Sequence, residues 1–162
     1  LERGMHVFTG VVEPMDQLTS FRREFPHITT HQPYHIGTQR PVFVTKDEAA
    51  IKPILEQIRW HLRVSLSQRY GFGSIKGGKA SCQPLEAEPD DHTILENHVV
   101  IGTPDQCIRQ LQKLQRGLDL TYFSASFWLG AMPHKQVVES MRLFASEVMP
   151  AFSVSEMRAE VQ

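Results

Sequence analysis

The chain has 162 residues with 17 basic and 18 acidic side chains, so its formal net charge is −1. This balance excludes the strongly basic surface that binds nucleic acid or acidic membranes, and we expect neither partner. Hydrophobic residues make up 41% of the chain, which suits a packed core. No apolar run reaches the length of a membrane span, about 18 residues. These values predict one folded domain in the cytoplasm.

The two cysteines and the first residues add two expectations. Cys82 and Cys107 lie far apart and form no C-x-x-C pair, which predicts neither a disulfide framework nor a thiolate zinc site. The chain opens with Leu-Glu-Arg-Gly, a pattern typical of the end of a helix followed by a glycine cap. We therefore expect the N-terminus to be truncated.

The start of the chain predicts one strand and one helix. The apolar run at residues 5–8 is followed by Thr-Gly and predicts a buried strand. Pro14 marks the first turn of an amphipathic helix, in which apolar residues recur every three or four positions. Residues 26–39 are rich in Pro, His and Thr and lack a period, which predicts a connecting loop.

A second strand and a long helix follow. Residues 41–44 predict the strand, and Thr45 and Glu48 form a capping-box pattern after it. An apolar stripe then predicts a helix that runs to about Arg69. Pro53 lacks a backbone donor, so we expect it to kink the helix or delay its start.

Residues 70–97 contain four glycines, two prolines and an acidic patch, which is typical of a long functional loop. Within this stretch, the segment from Gly73 to Ala80 nearly matches the phosphate-binding pattern G-x-x-x-x-G-K-[ST]. Ala80 lacks the required hydroxyl, and the segment follows a helix rather than a strand. We therefore interpret it as a mobile glycine-rich loop with solvated lysines.

The next part of the chain predicts a short strand and a capped helix. Residues 98–101 form an extended apolar run, and a helix follows from Thr103 to Gly117. Thr103 and Asp105 could hold an anion at the helix start. The capping box already uses the same amides, so we expect capping.

The last part predicts an aromatic strand and a final helix. Residues 121–127 are β-rich, and alternation leaves Trp128 at the end of the strand, where α/β proteins build their sites. Trp128 is therefore a candidate substrate contact. Pro133 opens an amphipathic helix that Pro150 is expected to end. Strands that alternate with helices predict an α/β fold with a parallel sheet.

Three histidines recur every four residues, which on a helix would place metal ligands on one face: His27, His31 and His35. The prolines among them argue against a helix. In an extended chain, successive histidines would lie roughly 13 Å apart, too far for one ion. We expect no metal site.

Three segments resemble the luciferase-like monooxygenases of the bacterial luciferase family. They are the G-T-P-x-x-C helix start at residues 102–107, the strand at 121–127, and the last helix with its E-V-M-P ending. The resemblance implies the C-terminal part of a (β/α)8 TIM barrel, with about three barrel strands plus helices in residues 1–152. Residues 153–162 would then be a C-terminal tail.

The family resemblance assigns residues 5–8, 41–44 and 121–127 to the sixth, seventh and eighth barrel strands. Three strands cannot close a barrel, so we expect Val7 and Phe43 to expose apolar surface.

The resemblance also implies a chemistry. In the family, reduced FMN, or a deazaflavin in one branch, binds at the carboxyl ends of the barrel strands. A separate flavin reductase supplies the reduced flavin, and O2 then oxygenates an apolar substrate of aldehyde or alkyl type. The family's phosphate anchor and principal catalytic residues come from the first five strands, so none is transferred to this chain. A homodimer or heterodimer is implied.

The site residues that the resemblance implies fall into two groups. The end of the sixth strand lies beside the flavin, which maps onto Thr9, Gly10 and Val11. The residues from Tyr70 to Glu86 match the mobile active-site loop of the luciferase α-subunit. Within this loop, Lys76 and Lys79 are the catalytic candidates. Tyr70, at the start of the loop, and Trp128, after the eighth strand, are the candidate substrate contacts. The loop would exclude water from the flavin.

Two other functions stay open. One is a non-catalytic partner subunit like the luciferase β-subunit, which lacks the long loop. The other is a small self-contained α/β binding domain. The presence of residues 70–97 favours the catalytic type over the partner subunit.

Overall fold

The computed structural model describes residues 6–10, 13–24 and 35–152. Some predicted features lie outside the described residues: the helix end at residues 1–4, Val11, His27, His31 and the tail at 153–162.

The centre of the fold is a strand, β2 (Ile36–Val44), which pairs in parallel with three other strands. Its first three residues pair with β1 (Val7–Thr9), and residues 37–41 pair with β6 (Tyr122–Ser126). Its last three residues pair with β5 (Val100–Gly102). The parallel sheet confirms the predicted α/β class, and it makes β2 the element against which the others are placed.

The start of β2 corrects one prediction. The loop was expected to extend to Gln39 and the strand to begin at Pro41, but β2 begins at Ile36. The early residues of the strand are polar, and they gave no apolar run. Thr38 and Arg40 are nevertheless fully buried, because their side chains hydrogen-bond within the fold.

Helices cover both faces of β2. Val42 and Val44 point to one face and pack with α1 (Met15–Glu24) and α4 (Pro104–Leu118). Phe43 points to the other face and packs with α2 (Ile51–Tyr70). Burial of each such side chain contributes about 1.5–3 kcal/mol. Phe43 is only 3% exposed, so the expectation that it would expose apolar surface is wrong, because α2 covers it.

The helix α2 follows its prediction with a different start. Asp47, rather than Thr45, provides the side-chain cap: its carboxylate accepts from the Ala49 amide at 3.0 Å, before a 3-10 turn at Glu48–Ala50. The predicted capping box at Thr45 and Glu48 is therefore wrong. Pro53 is the third residue of α2, in the first turn, where no intrahelical partner for its missing N–H is needed.

Residues 70–97 are not one continuous loop. They contain an antiparallel hairpin of β3 (Ser74–Lys76) and β4 (Lys79–Ser81), and the helix α3 (Asp91–Asn97). Gly77 and Gly78 form the hairpin turn with φ of +56° and +75°, which suits a two-residue turn. The strands have three residues each, too short to give a period in the sequence. The segment resembling a phosphate-binding loop is this hairpin.

The second half of the chain largely matches its prediction. The capping box at the start of α4 is confirmed, with the Thr103 amide donating to Gln106 Oε1 at 2.8 Å. The last helix, α5 (His134–Leu143), continues as a π-helical segment at Phe144–Val148 and a 3-10 turn at Met149–Phe152. Pro150 therefore lies inside the final turn and does not end an α-helix.

The two cysteines have different surroundings. Cys107 is buried in α4 and Cys82 is half-buried after the hairpin, and both are free thiols. Burial raises the pKa of the Cys107 thiol to about 12. No helix in the described part of the chain is both long and apolar enough to cross a membrane.

Candidate functional site

The carboxyl end of β1 is held against β2 by side chains of the central strand. The Thr9 hydroxyl donates to the Thr38 hydroxyl at 2.9 Å. The next residue, Gly10, accepts at its carbonyl from Arg40 Nη1 at 2.7 Å. The carbonyl of Glu13 accepts from Arg40 Nη2 at 2.9 Å. Two of the three predicted flavin contacts, Thr9 and Gly10, are therefore fixed to the centre of the fold.

Arg40 is the buried charge of this region. Its side chain is fully buried, and burial lowers its pKa to about 10, with Glu13 acting in the opposite direction. The guanidinium therefore stays charged at neutral pH. It donates further to the Gln39 carbonyl at 3.1 Å and contacts Met15 Sδ at 3.7 Å. A charged residue at a buried position requires several acceptors, and backbone carbonyls supply them here.

Glu13 links the end of β1 to the end of α2. Its Oε1 accepts from Arg69 Nη1 at 3.0 Å, and Arg69 lies in the last turn of α2, next to Tyr70. Both side chains are partly exposed, so this ion pair adds at most about 1 kcal/mol. Its geometric consequence is larger, because it ties the last turn of α2, after which the hairpin follows, to the chain after β1.

The hairpin carries the predicted lid residues. Lys76 and Lys79 face each other across the turn, and all residues of both hairpin strands are exposed. Tyr70 is 69% exposed at the base of the hairpin. The structure therefore places these three side chains in solvent.

An ion pair anchors the chain that returns from the hairpin. Arg63 of α2 donates to both carboxylate oxygens of Glu88, with an Nη2–Oε2 distance of 2.6 Å. The Leu85 amide donates to Glu88 Oε1 at 3.0 Å. The hydrogen bond from Arg63 lowers the pKa of Glu88 to about 2. The hairpin is thus attached at both ends, at the end of α2 and at this ion pair.

Trp128 lies beyond the carboxyl end of β6, as its position in the sequence predicted. It is 61% exposed, and its ring centroid is 6.5 Å from that of His134. Phe127, which precedes it, packs into the core against Phe144.

Two cavities lie in the described part of the fold, one at the start of β6 and one beside Arg40. The larger has a volume of about 490 Å³ and lies at the start of β6, away from its carboxyl end. Its walls come from α4, β6 and the final turns of the chain: Leu111, Gln115, Leu120, Thr121, Tyr122, Phe123, Phe144, Met149 and Phe152. The smaller has about 30 Å³ and is lined in part by Arg40 and Met15, which is room for about one water molecule. The sequence predicted neither cavity.

The described residues contain no group of three or more His, Cys, Asp or Glu side chains that could hold a metal ion. Of the three periodic histidines, His35 lies within that part of the chain, and its Nδ1 is 3.2 Å from the Thr121 hydroxyl.

Sequence reasoning missed Arg40 and Glu13, the two side chains that organise this region. The available signal was one arginine directly before the apolar run at residues 41–44. A lone charge beside a buried strand indicates a residue with internal hydrogen-bond partners. The sequence did not predict which residues these partners are, because Gly10 and Glu13 lie far from Arg40 in the chain.

Comparison with known proteins identifies the fold. No protein-family model matches the sequence, and no curated protein matches it significantly. A crystal structure of the monooxygenase RslO1 from Streptomyces bottropensis is similar to it, with 16% identity and a TM-score of 0.66. So is a type II Baeyer–Villiger monooxygenase, the oxygenating constituent of 3,6-diketocamphane monooxygenase from the CAM plasmid of Pseudomonas putida, in complex with FMN. It has 16% identity and a TM-score of 0.57.

Each alignment covers 93% of this chain but 43% of the other protein. The chain therefore spans less than half the length of the proteins whose fold it shares. At this identity the likeness shows the fold alone.

Proposed function

We propose that this chain is the C-terminal part of a luciferase-like, flavin-dependent monooxygenase, folded as one portion of a (β/α)8 barrel. The observation that carries the proposal is the similarity of 93% of the chain to two monooxygenases, one of them in complex with FMN. The parallel order of β1, β2 and β6 is what successive strands of a barrel require. The luciferase-like helix start and final helix in the sequence support the same family.

The residues at the end of β1 fit a flat aromatic cofactor. Gly10 is exposed and has no side chain, and Thr9 is small with its hydroxyl turned to Thr38, so a ring can approach the backbone here. We propose that Thr9, Gly10 and Val11 contact the isoalloxazine of reduced FMN, with a deazaflavin as the alternative. When bound, the flavin supplies electrons and activates O2.

The hairpin would act as a lid over this segment. Its base lies beside the end of β1 through the Arg69–Glu13 pair, and its tip carries Lys76 and Lys79 in solvent. Closure would exclude water and bring the two ammonium groups toward the flavin, while Tyr70 and Trp128 contact an apolar substrate of aldehyde or alkyl type. A flavin reductase as partner, a dimeric assembly and a cytoplasmic location belong to the same proposal.

The test measures FMN binding and O2 consumption with reduced FMN. It is made on the product of the open reading frame that contains this chain. We expect micromolar or tighter binding of FMN, and an oxygenated product from an apolar substrate of aldehyde or alkyl type. The paired variants Lys76→Ala and Lys79→Ala should retain FMN binding and lower the yield of product per O2 consumed. Lys135→Ala, at an exposed position of α5, is the matched control. A folded protein that binds no FMN and consumes no O2 would overturn the proposal.

One observation favours a second function, a self-contained α/β binding domain. Helices cover both faces of β2, and Phe43 is buried within the described residues alone. The 162-residue chain would then unfold in one sharp thermal transition and bind no dye that reports exposed core.

The partner-subunit alternative predicts that deletion of residues 72–84 leaves turnover of the complete enzyme unchanged.

A further inference from the structure

We propose that Arg40 is a positioning residue, which holds the segment after β1 in the conformation that contacts the flavin. The inference rests on the proposed function, since it concerns the same segment. Arg40 contacts the chain on both sides of Val11 and acts on the cofactor through Gly10.

The geometry depends on the fork of the guanidinium group. Nη1 donates to the carbonyl of Gly10 and Nη2 to the carbonyl of Glu13, at 2.7 and 2.9 Å. One planar group therefore fixes two carbonyls that are three residues apart in the chain. A lysine has one ammonium and cannot reproduce two donors at this fixed spacing.

The surroundings of Arg40 indicate that its guanidinium binds the protein backbone and does not bind a ligand directly. Its side chain is fully buried, and the cavity beside it holds about 30 Å³, too small for a cofactor. Its hydrogen bonds to oxygen within the described residues go to backbone carbonyls, and Nη2 also contacts Met15 Sδ. A buried charge is costly, and Nε has no partner among the described residues. The carbonyls that accept from Nη1 and Nη2, together with the charge of Glu13, offset this cost.

A neighbouring side chain supports the same assignment. Thr38 lies two residues before Arg40 on the same face of β2 and accepts from the Thr9 hydroxyl. Two alternate residues of the central strand thus hold residues 9, 10 and 13. The segment proposed to touch the flavin takes its position from β2, which is the most extensively paired strand of the described sheet.

The experiment compares Arg40→Lys and Arg40→Met with the unmodified protein, and uses Arg109→Lys, on the exposed face of α4, as the matched control. The first readout is the Kd for FMN. We expect it to rise about tenfold or more in both Arg40 variants and to stay unchanged in the control, since a displaced contact segment loses binding. The second readout is hydrogen exchange of the peptide that covers residues 6–14, which we expect to accelerate in Arg40→Lys while the thermal midpoint changes little.

The outcomes separate the two proposals. If the unmodified protein binds no FMN, the proposed function falls and the flavin role of Arg40 falls with it, while hydrogen exchange still decides whether Arg40 holds the segment. If FMN binds and folded Arg40→Lys keeps its Kd within about twofold, the positioning role is wrong. If Arg40→Met fails to fold, Arg40→Lys alone decides. Equal acceleration of exchange across the whole chain would show a purely structural role and would overturn the inference.

Discussion

The central strand β2 and the β3–β4 hairpin are both extended segments, but their environments are opposite. Every residue of β2 is buried or half-buried, and three strands pair with it. Every residue of the hairpin strands is exposed, and these strands pair with each other. Within the described residues, the fold therefore has a fixed centre and a projecting element that is held at its two ends. Two of the proposed flavin contacts, Thr9 and Gly10, are hydrogen-bonded to side chains of the first region, and the proposed lid residues Lys76 and Lys79 belong to the second.

The two environments predict which property of the protein a substitution in each region should change. Packing positions the side chains around β2, so changes there alter stability and the geometry of the end of β1 together. The hairpin has few partners, so changes there should alter its own conformation and leave the global stability nearly constant. Four pairs of measurements test this distinction between the two regions.

The largest effect is expected from one isoleucine in each region. Ile58 of α2 is 1% exposed in the core that holds Phe43, and Ile75 of the hairpin is 74% exposed. We expect Ile58→Ala to lower the free energy of unfolding by about 2–5 kcal/mol, because it leaves a cavity. Ile75→Ala should change it by less than about 0.5 kcal/mol. Urea unfolding of both variants measures this, and equal losses would contradict the distinction between the regions.

The next effect concerns two glycines near the end of β1. A Cβ on Gly37 would lie 2.5 Å from Phe8 Cδ2, whereas a Cβ on Gly10 would make an ordinary contact of 3.6 Å. We expect Gly37→Ala to cost about 1–3 kcal/mol, because Phe8 must move away from Tyr122, its partner in an edge-to-face ring contact. Gly10→Ala is the control and should cost less. The contrast would fail if both variants melted at the same temperature.

A smaller effect is expected at the hairpin turn. Gly77 and Gly78 both have positive φ, a conformation that costs roughly 1–2 kcal/mol for other residues. We expect Gly77→Ala to open the hairpin without moving the global unfolding midpoint, since the two strands lie outside the core. NMR shifts of residues 74–81 report the hairpin, and urea unfolding reports the fold. Ser81→Ala, within β4, is the control. If Gly77→Ala lowered the free energy of global unfolding by about 1–2 kcal/mol, the hairpin would be part of the cooperatively folded unit.

The smallest effect is the pH dependence of the hairpin anchor. The pKa of Glu88 is lowered from 4.5 to about 2 by its hydrogen bond with Arg63. The stabilisation is therefore present above pH 4.5 and is lost as the pH falls toward 2, when the folded state must take up the proton. Glu88→Gln should remove at most about 1 kcal/mol at neutral pH, and should flatten this part of the stability curve. Glu86→Gln, on the exposed chain nearby, is the control. If the stability of Glu88→Gln fell with pH in the same way as that of the unmodified protein, the ion pair between Arg63 and Glu88 would not be the source of the pH dependence.

The sequence predicted the parts of the fold that depend on local patterns. The stripe of α2, the capping box at Thr103 and the alternation of strands and helices depend on spacing within one element, and the structure contains all three. The start of β2 could not be predicted in the same way. Thr38 and Arg40 are buried through bonds to residues about 30 positions earlier, which no local period reports.

The candidate site divides in the same manner. Thr9 and Gly10 were predicted because a family resemblance pointed to the end of a strand, and Lys76 and Lys79 because a glycine-rich segment stands out in any sequence; their roles stay predictions. Arg40 was missed, because its role depends on which carbonyls lie beside it after folding.

The difference between the two cysteine environments makes the hairpin directly observable. A thiol reagent reacts with the thiolate, and burial keeps Cys107 protonated far above neutral pH. Cys82 lies half-buried directly after β4, so a maleimide dye at pH 7 should attach at this single position. The unaltered chain thus carries its own labelling site next to the proposed lid, and fluorescence from one dye could follow hairpin motion while flavin is added.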